Sequence, residues 1–487
     1  MWQSNHVRSR IHEPLDTEQQ RNVLLRNDVG RRLTMSSHDT TRMPQTRPFL
    51  AAAARFGSGD DTPRAFLERC LEACAAWEPK IGAFVHTNID DARRAADAST
   101  VRWRESKPLS AIDGMPIGVK DIIETADMPT EMGSPLFEGW RSGWDSAAVA
   151  ALREAGAVVL GKTVTTEFAA TEPRGTRNPW DLTRTPGGSS SGSAAAVAVG
   201  LVSAALGTQV IGSLVRPASY CGCVGFKPSI GAINRGGSHD HLSQSCMGVL
   251  AGTLEDAWQV ASEITVRVGG DPGCLGLAGP LRAPLAAKPL RLIFLETAGW
   301  KIASPAAKQA LQNGLARLVN AGVEIATRSS HPHVAAVEEA IADAHLLSTR
   351  INTWESRWPL NIYRARDAGK LSGAMLRRFA EGERMSPDDY RAALMERIRI
   401  RGLYAELALH CDACITLAAP GAAPVGLEST GNPVFAVPFS LLGVPAISLP
   451  VLHEQGLPLG VQVTGFEGKD AKTFSVSAWL QNELGSQ

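Results

Sequence analysis

The chain has 487 residues, 44% hydrophobic and 20% charged. That balance buries a large core, and at about 150 residues per domain it sets a starting expectation of about three domains. The 49 basic and 49 acidic side chains cancel, which removes the basic field that nucleic acid or an anionic membrane surface would call for. Aromatic residues make up only 6%, while glycine reaches 46 residues. This argues against an aromatic-rich β-sandwich and for helices packed closely on a sheet.

In chain order, residues 1–47 hold eight Arg and five acids with no apolar run. They lack the apolar core of a secretory signal and are too acidic for a transit peptide, so residues 1–48 read as a flexible tail of a cytoplasmic protein. Thr62-Pro63 caps a helix whose Phe66, Leu67, Cys70, Leu71 and Cys74 share one face. A second helix starts near Asp90 and runs to about Ser106. Residues 115–123 (MPIGVKDII) form a buried strand, 147–156 a helix and 157–160 a short strand. Strands and helices alternate through 224–226, 290–295, 305–321 and 323–326. Residues 330–405 read as almost purely helical, and strands return at 413–417, 446–449 and 459–463. The pattern predicts an α/β protein with a mixed, mostly parallel central sheet, covered by helices on both faces. With no internal repeat and no linker, residues 49–487 form a single large domain, with 330–405 as a helical cover.

Thr185 to Val215 carries no charged residue. Its Gly, Ser, Ala and Thr content, with Pro186 and Gln209, fits a buried loop, helix and strand better than a membrane span, which wants about 20 strongly apolar residues. The eight cysteines are scattered, so they read as reduced structural thiols. Cys411 and Cys414 form a CxxC but lack the second pair that a zinc site needs.

Three features carry chemistry. Lys120 sits in an otherwise apolar strand: it either pairs with Asp121 or, desolvated, becomes a neutral amine able to act as a base. Pro186-Gly187-Gly188-Ser189-Ser190-Ser191-Gly192-Ser193 runs into an Ala-rich helix. It lacks the Gly-Lys-Ser/Thr of a phosphate loop. Gly188 to Gly192 does satisfy G-x-S-x-G, which would make Ser190 a nucleophile with His410 or His453 as partner, but no strand precedes it. Gly207-Thr208-Gln209-Val210-Ile211-Gly212-Ser213, followed by Arg216-Pro217-Ala218-Ser219, places a serine among backbone N–H groups of the kind that stabilise an oxyanion.

Together, GMPIGVKD, RNPWDLTRTPGGSSSGSAAA and GTQVIGSLVRPASYCGCVGFKP resemble the amidase signature family. The resemblance runs from about residue 60 to the C-terminus and includes GVPAISLP and GLPLGVQ at 443–450 and 456–462. It implies a Ser–cis-Ser–Lys acyl-enzyme mechanism with Ser213 as nucleophile, Ser189 as bridging serine and Lys120 as base. It also implies a cis Gly188–Ser189 peptide and an oxyanion hole from the N–H groups of Val210, Ile211, Gly212 and Ser213. Gly188, Ser190 and Ser193 become supporting residues, and no metal or organic cofactor is implied. The loop Met132-Gly133-Ser134 and the aromatic helices at 345–380 are the expected substrate selectors.

The chain departs from the family's common Gly-Thr-Asp-Thr-Gly-Gly-Ser-Ile-Arg wording at Gln209, Val210, Ile211 and Val215. Ile211, β-branched, is expected to avoid positive φ or to wall a tighter acyl pocket. Arg216, displaced by one residue on what reads as a strand, is expected to face away from the substrate in a structural ion pair. The expected activity is therefore hydrolysis of neutral or apolar small-molecule amides. The alternatives are a carbamate (urethane) or urea hydrolase, and a glutaminase subunit of a tRNA-dependent amidotransferase. A silent binding homologue is disfavoured because the triad is complete. The expected partners are a small-molecule amide or carbamate, with no nucleic acid and no membrane, and the expected state is monomer or homodimer.

Overall fold

The structure is a computed structural model that describes residues 43–170 and 172–485. The tail expected at residues 1–48 lies outside the described residues up to residue 42. The chain is already anchored at Arg47, whose Nε donates to the Gly200 carbonyl at 3.3 Å. Asp256 then accepts the backbone N–H groups of Phe49 and Leu50 at 2.8 and 3.0 Å. From Pro44 onward the chain forms one compact unit.

The first part runs α1 (Leu50–Ala53), α2 (Pro63–Ile81), β1 (Phe84–Thr87), α3 (Ile89–Arg104), β2 (Pro116–Lys120), α4 (Ala147–Glu154) and β3 (Val158–Thr163). Thr62 caps α2 by accepting from Ala65 N, Pro63 is its first residue, and Gly82 closes it at φ 56°, as the sequence dictates. Next come α5 (Ser191–Ala198), β4 (Ala204–Gln209), α6 (Val215–Cys221), β5 (Val224–Lys227), β6 (Cys246–Ala251), α7 (Leu254–Val268), β7 (Arg291–Phe294), α8 (Pro305–Asn320) and β8 (Glu324–Ala326). The cover comprises α9 (Pro332–Ala340), α10 (Ala344–Glu355), α11 (Arg357–Asp367), α12 (Gly373–Arg384) and α13 (Pro387–Glu406), matching the helical stretch read at 330–405. The chain ends with β9 (Ala413–Leu417), α14 (Val437–Leu442), β10 (Ala446–Glu454), β11 (Leu457–Thr464) and α15 (Asp470–Gly485).

The eleven strands of the described residues join one sheet in the order β1-β3-β2-β4-β6-β5-β10-β11-β9-β7-β8. The sheet is mixed, but it is not mostly parallel. β2 pairs in parallel with β3 and β4, and β7 with β8 and β9. The middle, from β4 through β6, β5, β10 and β11 to β9, is antiparallel. Antiparallel neighbours need no crossover helix. β5 reaches β6 through a loop, and β10 turns into β11 at Gln455-Gly456, with φ 54° and 80°, the backbone of a tight hairpin. Fully buried strands of either direction look alike in sequence.

The parallel trio β3-β2-β4 positions the site, because its carboxyl ends open on one edge of the sheet, where α/β folds hold ligands. Against it lies α5, buried on every side. A Cβ on Gly192 would lie 2.2 Å from the Ala83 carbonyl oxygen and 2.4 Å from Val164 N, so the helix rests on strand backbone and only small residues fit. Among the described residues no helix is long and apolar enough to cross a membrane.

Gly192→Ala should therefore overpack this contact and lower stability by about 1–3 kcal/mol. Gly402→Ala, in α13 with nothing within 4 Å of its added Cβ, should be neutral or stabilising. Thermal unfolding of the two variants checks the contrast.

Candidate active site

The local chemistry starts from how two neighbouring buried lysines are satisfied. β2 and β3 run in parallel with Val119 opposite Lys162 and Lys120 opposite Thr163. Asp121, which could have paired with Lys120, instead lies 3.2 Å from Lys162 Nζ, both groups buried. Lys162 also donates to the Pro129 carbonyl at 3.0 Å and Thr130 Oγ1 at 2.5 Å, which uses its three N–H groups. Burial pulls the Lys162 amine down and pushes the Asp121 carboxyl up, and their mutual attraction opposes both.

Among the described residues Lys120 is left with no carboxylate in contact. It is fully buried, and its Nζ donates to Ser189 Oγ and Thr208 Oγ1, both at 2.8 Å. Thr208 reaches it from β4, which runs alongside β2 with Val119 opposite Leu206. Burial pulls the amine to about 7, opposed by the field of Asp240. An amine near this value is neutral for much of the time at neutral pH and can take a proton.

Ser189 follows Gly188 through a cis peptide. A Cβ on Gly188 would approach Thr430 Cγ2 to 2.7 Å, so the close wall explains the glycine. Arg216 Nη2 donates to the Gly188 carbonyl at 2.7 Å and to Thr430 Oγ1 at 2.9 Å. Ser190 Oγ donates to the Thr208 carbonyl at 3.3 Å. Ser193 Oγ contacts Thr163 Oγ1 at 2.7 Å and the Leu206 carbonyl at 3.1 Å. Ser193 thus ties α5 to β3 and β4, and Ser190, just before α5, ties its start to β4. The elbow reading of Ser190 finds no histidine: His410 packs beside His331 and His333, and His453 is an exposed residue of β10.

Ser213 sits on the turn between β4 and α6. Gln209 holds this turn: its Oε1 accepts the N–H groups of Leu214 and Val215 at 2.9 and 3.0 Å, and its Nε2 donates to Ser440 Oγ at 2.9 Å. A neutral amide here anchors the loop without burying a charge. Among the described residues the backbone N–H groups of Val210, Ile211, Gly212 and Ser213 have no acceptor. Ile211 avoids positive φ, and its side chain lines the cavity.

That cavity holds about 210 Å³ and contains Ser213, Val210, Ile211 and Arg216 on the sheet side. Two expectations for Arg216 are corrected. It lies on helix α6, not a strand, so a one-residue shift turns a side chain by part of a helical turn instead of flipping it. Among the described residues it also has no carboxylate partner. It is 3% exposed, and its Nε and Nη1 are buried with nothing to bond; burial lowers it to about 10. Nη1 lies 3.3 Å from a Cβ built on Gly212, beside the free N–H groups.

Met132, Gly133 and Ser134 do not line this cavity. Met132 is fully buried, and its carbonyl accepts from Phe168 N at 2.8 Å, placing an aromatic wall residue instead of touching the cavity itself. Ser134 caps a short turn. The cover also lines the cavity, through His345, Asn352, Leu360, Tyr363, Met375 and Arg378, within the stretch read at 345–380. Tyr363 stacks on Phe168 with ring centroids 4.7 Å apart. Sequence reasoning missed His239 and Asp240, cavity residues from an irregular loop between β5 and β6; no spacing pattern flags them. The described cysteines are all free, and no group of three metal-ligand side chains is arranged to hold an ion among the described residues.

A family model described as Amidase matches residues 65–474. The chain is 33% identical over 469 residues to a glutamyl-tRNA(Gln) amidotransferase subunit of Chloroflexus aurantiacus, covering 85% of this chain and 92% of that protein. Among solved structures, one described as an amidase superposes with TM-score 0.77 at 28% identity, covering 90% of this chain and 100% of that chain. The peptide amidase of Stenotrophomonas maltophilia superposes with TM-score 0.72 at 26% identity, covering 89% of this chain and 96% of that chain. The chain belongs to the amidase signature family and shares its α/β fold, that of hydrolases acting on C–N bonds.

Proposed function

We propose that the chain hydrolyses small-molecule amides through an acyl-enzyme on Ser213, with Lys120 as base and Ser189 as the proton bridge. The observation that carries this reading is the fully buried Lys120, without a contacting carboxylate among the described residues and 2.8 Å from Ser189 Oγ. A serine hydroxyl is inert at its free pKa and needs a base to take its proton. A hydroxyl can donate and accept at once, so Ser189 passes the Ser213 proton to the amine while Thr208 takes one amine N–H. The Ser213 oxygen attacks the amide carbonyl, and the negative charge that develops is met by the free N–H groups of 210–213 and by the nearby Arg216 cation. The same proton returns through Ser189 to the leaving nitrogen. The C–N bond breaks, and water then repeats the sequence to release the acid and restore Ser213. Every step uses side chains and backbone alone. In this reading the enzyme is cytoplasmic and works as a monomer or homodimer.

Carbamates and ureas undergo the same acyl transfer and remain the neighbouring substrate classes. A second reading, a glutaminase subunit of a tRNA-dependent amidotransferase, is favoured by the relatives of that name at 33% identity. The replacements at Gln209 and Val215 weigh against it. Ammonia release from glutamine by this chain, with and without partner subunits, separates the two.

Ser213→Ala should cut amide turnover by at least about a thousandfold while thermal unfolding stays near that of the parent. Substantial residual hydrolysis would remove Ser213 from the mechanism. Lys120 must be neutral to accept a proton, and burial has lowered it from 10.5 to about 7. kcat/KM should therefore rise with pH to a plateau above about 7 and fall about tenfold per pH unit below it. A limb near the ordinary lysine value would contradict a desolvated base.

A further inference from the structure

The loop between β5 and β6 brings an unpaired carboxylate to the site and is held on three sides. Residues 237–239 run antiparallel to residues 122–124, just past Lys120. Glu124 N donates to the Gly237 carbonyl at 3.0 Å, His239 N donates to the Ile122 carbonyl at 2.8 Å, and Ile123 bridges Ser238. Farther along, Gln244 Nε2 donates to the Val210 carbonyl at 2.9 Å, and Ser243 N donates to Glu355 Oε2 of the cover at 2.7 Å. Arg235 Nη1 donates to the carbonyls of Asp240 and Leu242, both at 3.2 Å. The loop is thus tied to the strand of the base, to the turn bearing the free N–H groups, and to the cover. Between these ties Asp240 lines the same cavity as Ser213. It is 7% exposed, its Oδ2 is buried without a partner, and its side chain makes no hydrogen bond or ion pair among the described residues. A buried polar group left unpaired costs free energy, so its retention calls for a reason.

We propose that Asp240 is a positioning residue for the base: its unpaired carboxylate steadies, through space, the positive charge that Lys120 acquires when it takes the Ser213 proton. The proposal rests on the hydrolysis proposed above and assigns the counter-charge of that step. The other nearby acids are already committed. Asp121 lies 3.2 Å from Lys162, Glu124 bonds His239 at 2.9 Å, Asp271 bonds Arg235 at 2.7 Å, and Glu167 lies 3.7 Å from Arg174. Ser189, Thr208 and Gln209 carry no charge. Burial lowers His239 and His241, so both imidazoles are neutral near pH 7. The remaining ionisable side chains of the cavity, Arg216, His345 and Arg378, are not acids and cannot balance a cation. Asp240 is the carboxylate whose field acts on Lys120, and in buried surroundings a field reaches well beyond contact distance. When Ser213 attacks, the proton leaves it for the amine through Ser189, and charge of both signs develops. The free N–H groups and Arg216 meet the negative part, and Asp240 meets the positive part until the proton passes to the leaving nitrogen. Standing off from the amine, Asp240 supports the ammonium without forming the close pair that would hold Lys120 permanently protonated.

The test is the pH profile of ammonia release from butyramide and benzamide by the full chain and by Asp240→Asn. Loss of the negative field favours the neutral amine, so the acid limb of kcat/KM should move to lower pH by at least about half a unit. The weaker base and the unsupported ammonium should lower the plateau kcat about three- to tenfold. The variant is therefore slower at high pH but keeps a larger share of its activity in acid, a combination that loosened packing alone does not produce. Asp240→Glu, which keeps the charge, should hold the limb near that of the parent. Asp240→Ser replaces Asp240→Asn if thermal unfolding shows the latter misfolded. A limb that stays in place or moves upward in a folded, uncharged variant overturns the proposal, as does a limb that moves only in His345→Gln. Inactivation by phenylmethylsulfonyl fluoride, which sulfonylates an activated serine and releases fluoride, reads the same limb without amide turnover. A downward shift of its pH dependence in Asp240→Asn supports the role of Asp240 even if neither amide is hydrolysed, an outcome that would instead count against the proposed hydrolysis. Amide hydrolysis with an unmoved limb in both assays keeps the hydrolysis and overturns the role of Asp240.

Discussion

The site depends on which lysine receives the one nearby acid. Two lysines end adjacent parallel strands, and Asp121 goes to Lys162. That pairing closes the loop at Pro129–Thr130 and removes the counter-charge that would keep Lys120 protonated. A buried ion pair is weak evidence for stability, since desolvation offsets much of the attraction. Its consequence here is positional. It gives Lys120 only hydroxyl partners, in a segment from Thr185 to Val215 without charged residues. Together these surroundings let burial set the protonation state of Lys120.

Small residues serve the same arrangement in a second way. α5 can lie on strand backbone because Gly192 has no side chain, and Arg216 and Thr430 can grip the Gly188 peptide because Gly188 has none. The glycine and alanine of this chain thus matter most where a helix, a loop and a sheet edge must approach more closely than larger side chains permit. Gln209 plays the complementary part by holding the first turn of α6 through two backbone N–H groups. The donors at 210–213 are thereby left free.

Much of this is legible in the sequence because it is local. The capped helix at Thr62-Pro63, the helical cover and the serine-rich loop are contiguous patterns, and the structure places Lys120, Ser189 and Thr208 together from three separate segments. What escapes is non-local. The direction of the central strands depends on loop length and pairing, which buried apolar runs do not encode. The Asp121–Lys162 pair is set by strand register, and nothing in MPIGVKDII says which lysine the acid will choose. The segment of Arg216 reads as a strand, whereas the Gln209 cap makes it a helix. Met132 reads as a selector because a flexible apolar side chain in a loop suits a pocket, but a positive φ and a fully buried position make it a support for Phe168. His239, Asp240 and Arg378 reach the cavity only through tertiary packing.

Two stretches of chain far apart in sequence contribute most to the site, with residues 239–242 and Thr430, Gly431 and Pro433 completing the cavity. Residues 120–216 supply the lysine, the serines and the N–H groups, while residues 345–378 supply further lining of the cavity. The first stretch is packed so tightly that few replacements fit. The second consists of amphipathic helices resting on the body through aromatic contacts such as Tyr363 on Phe168. Heritable change can therefore accumulate on one side of the cavity while the other stays fixed. Recombining the cover between distant relatives offers a way to exchange what such an enzyme accepts without rebuilding how it reacts.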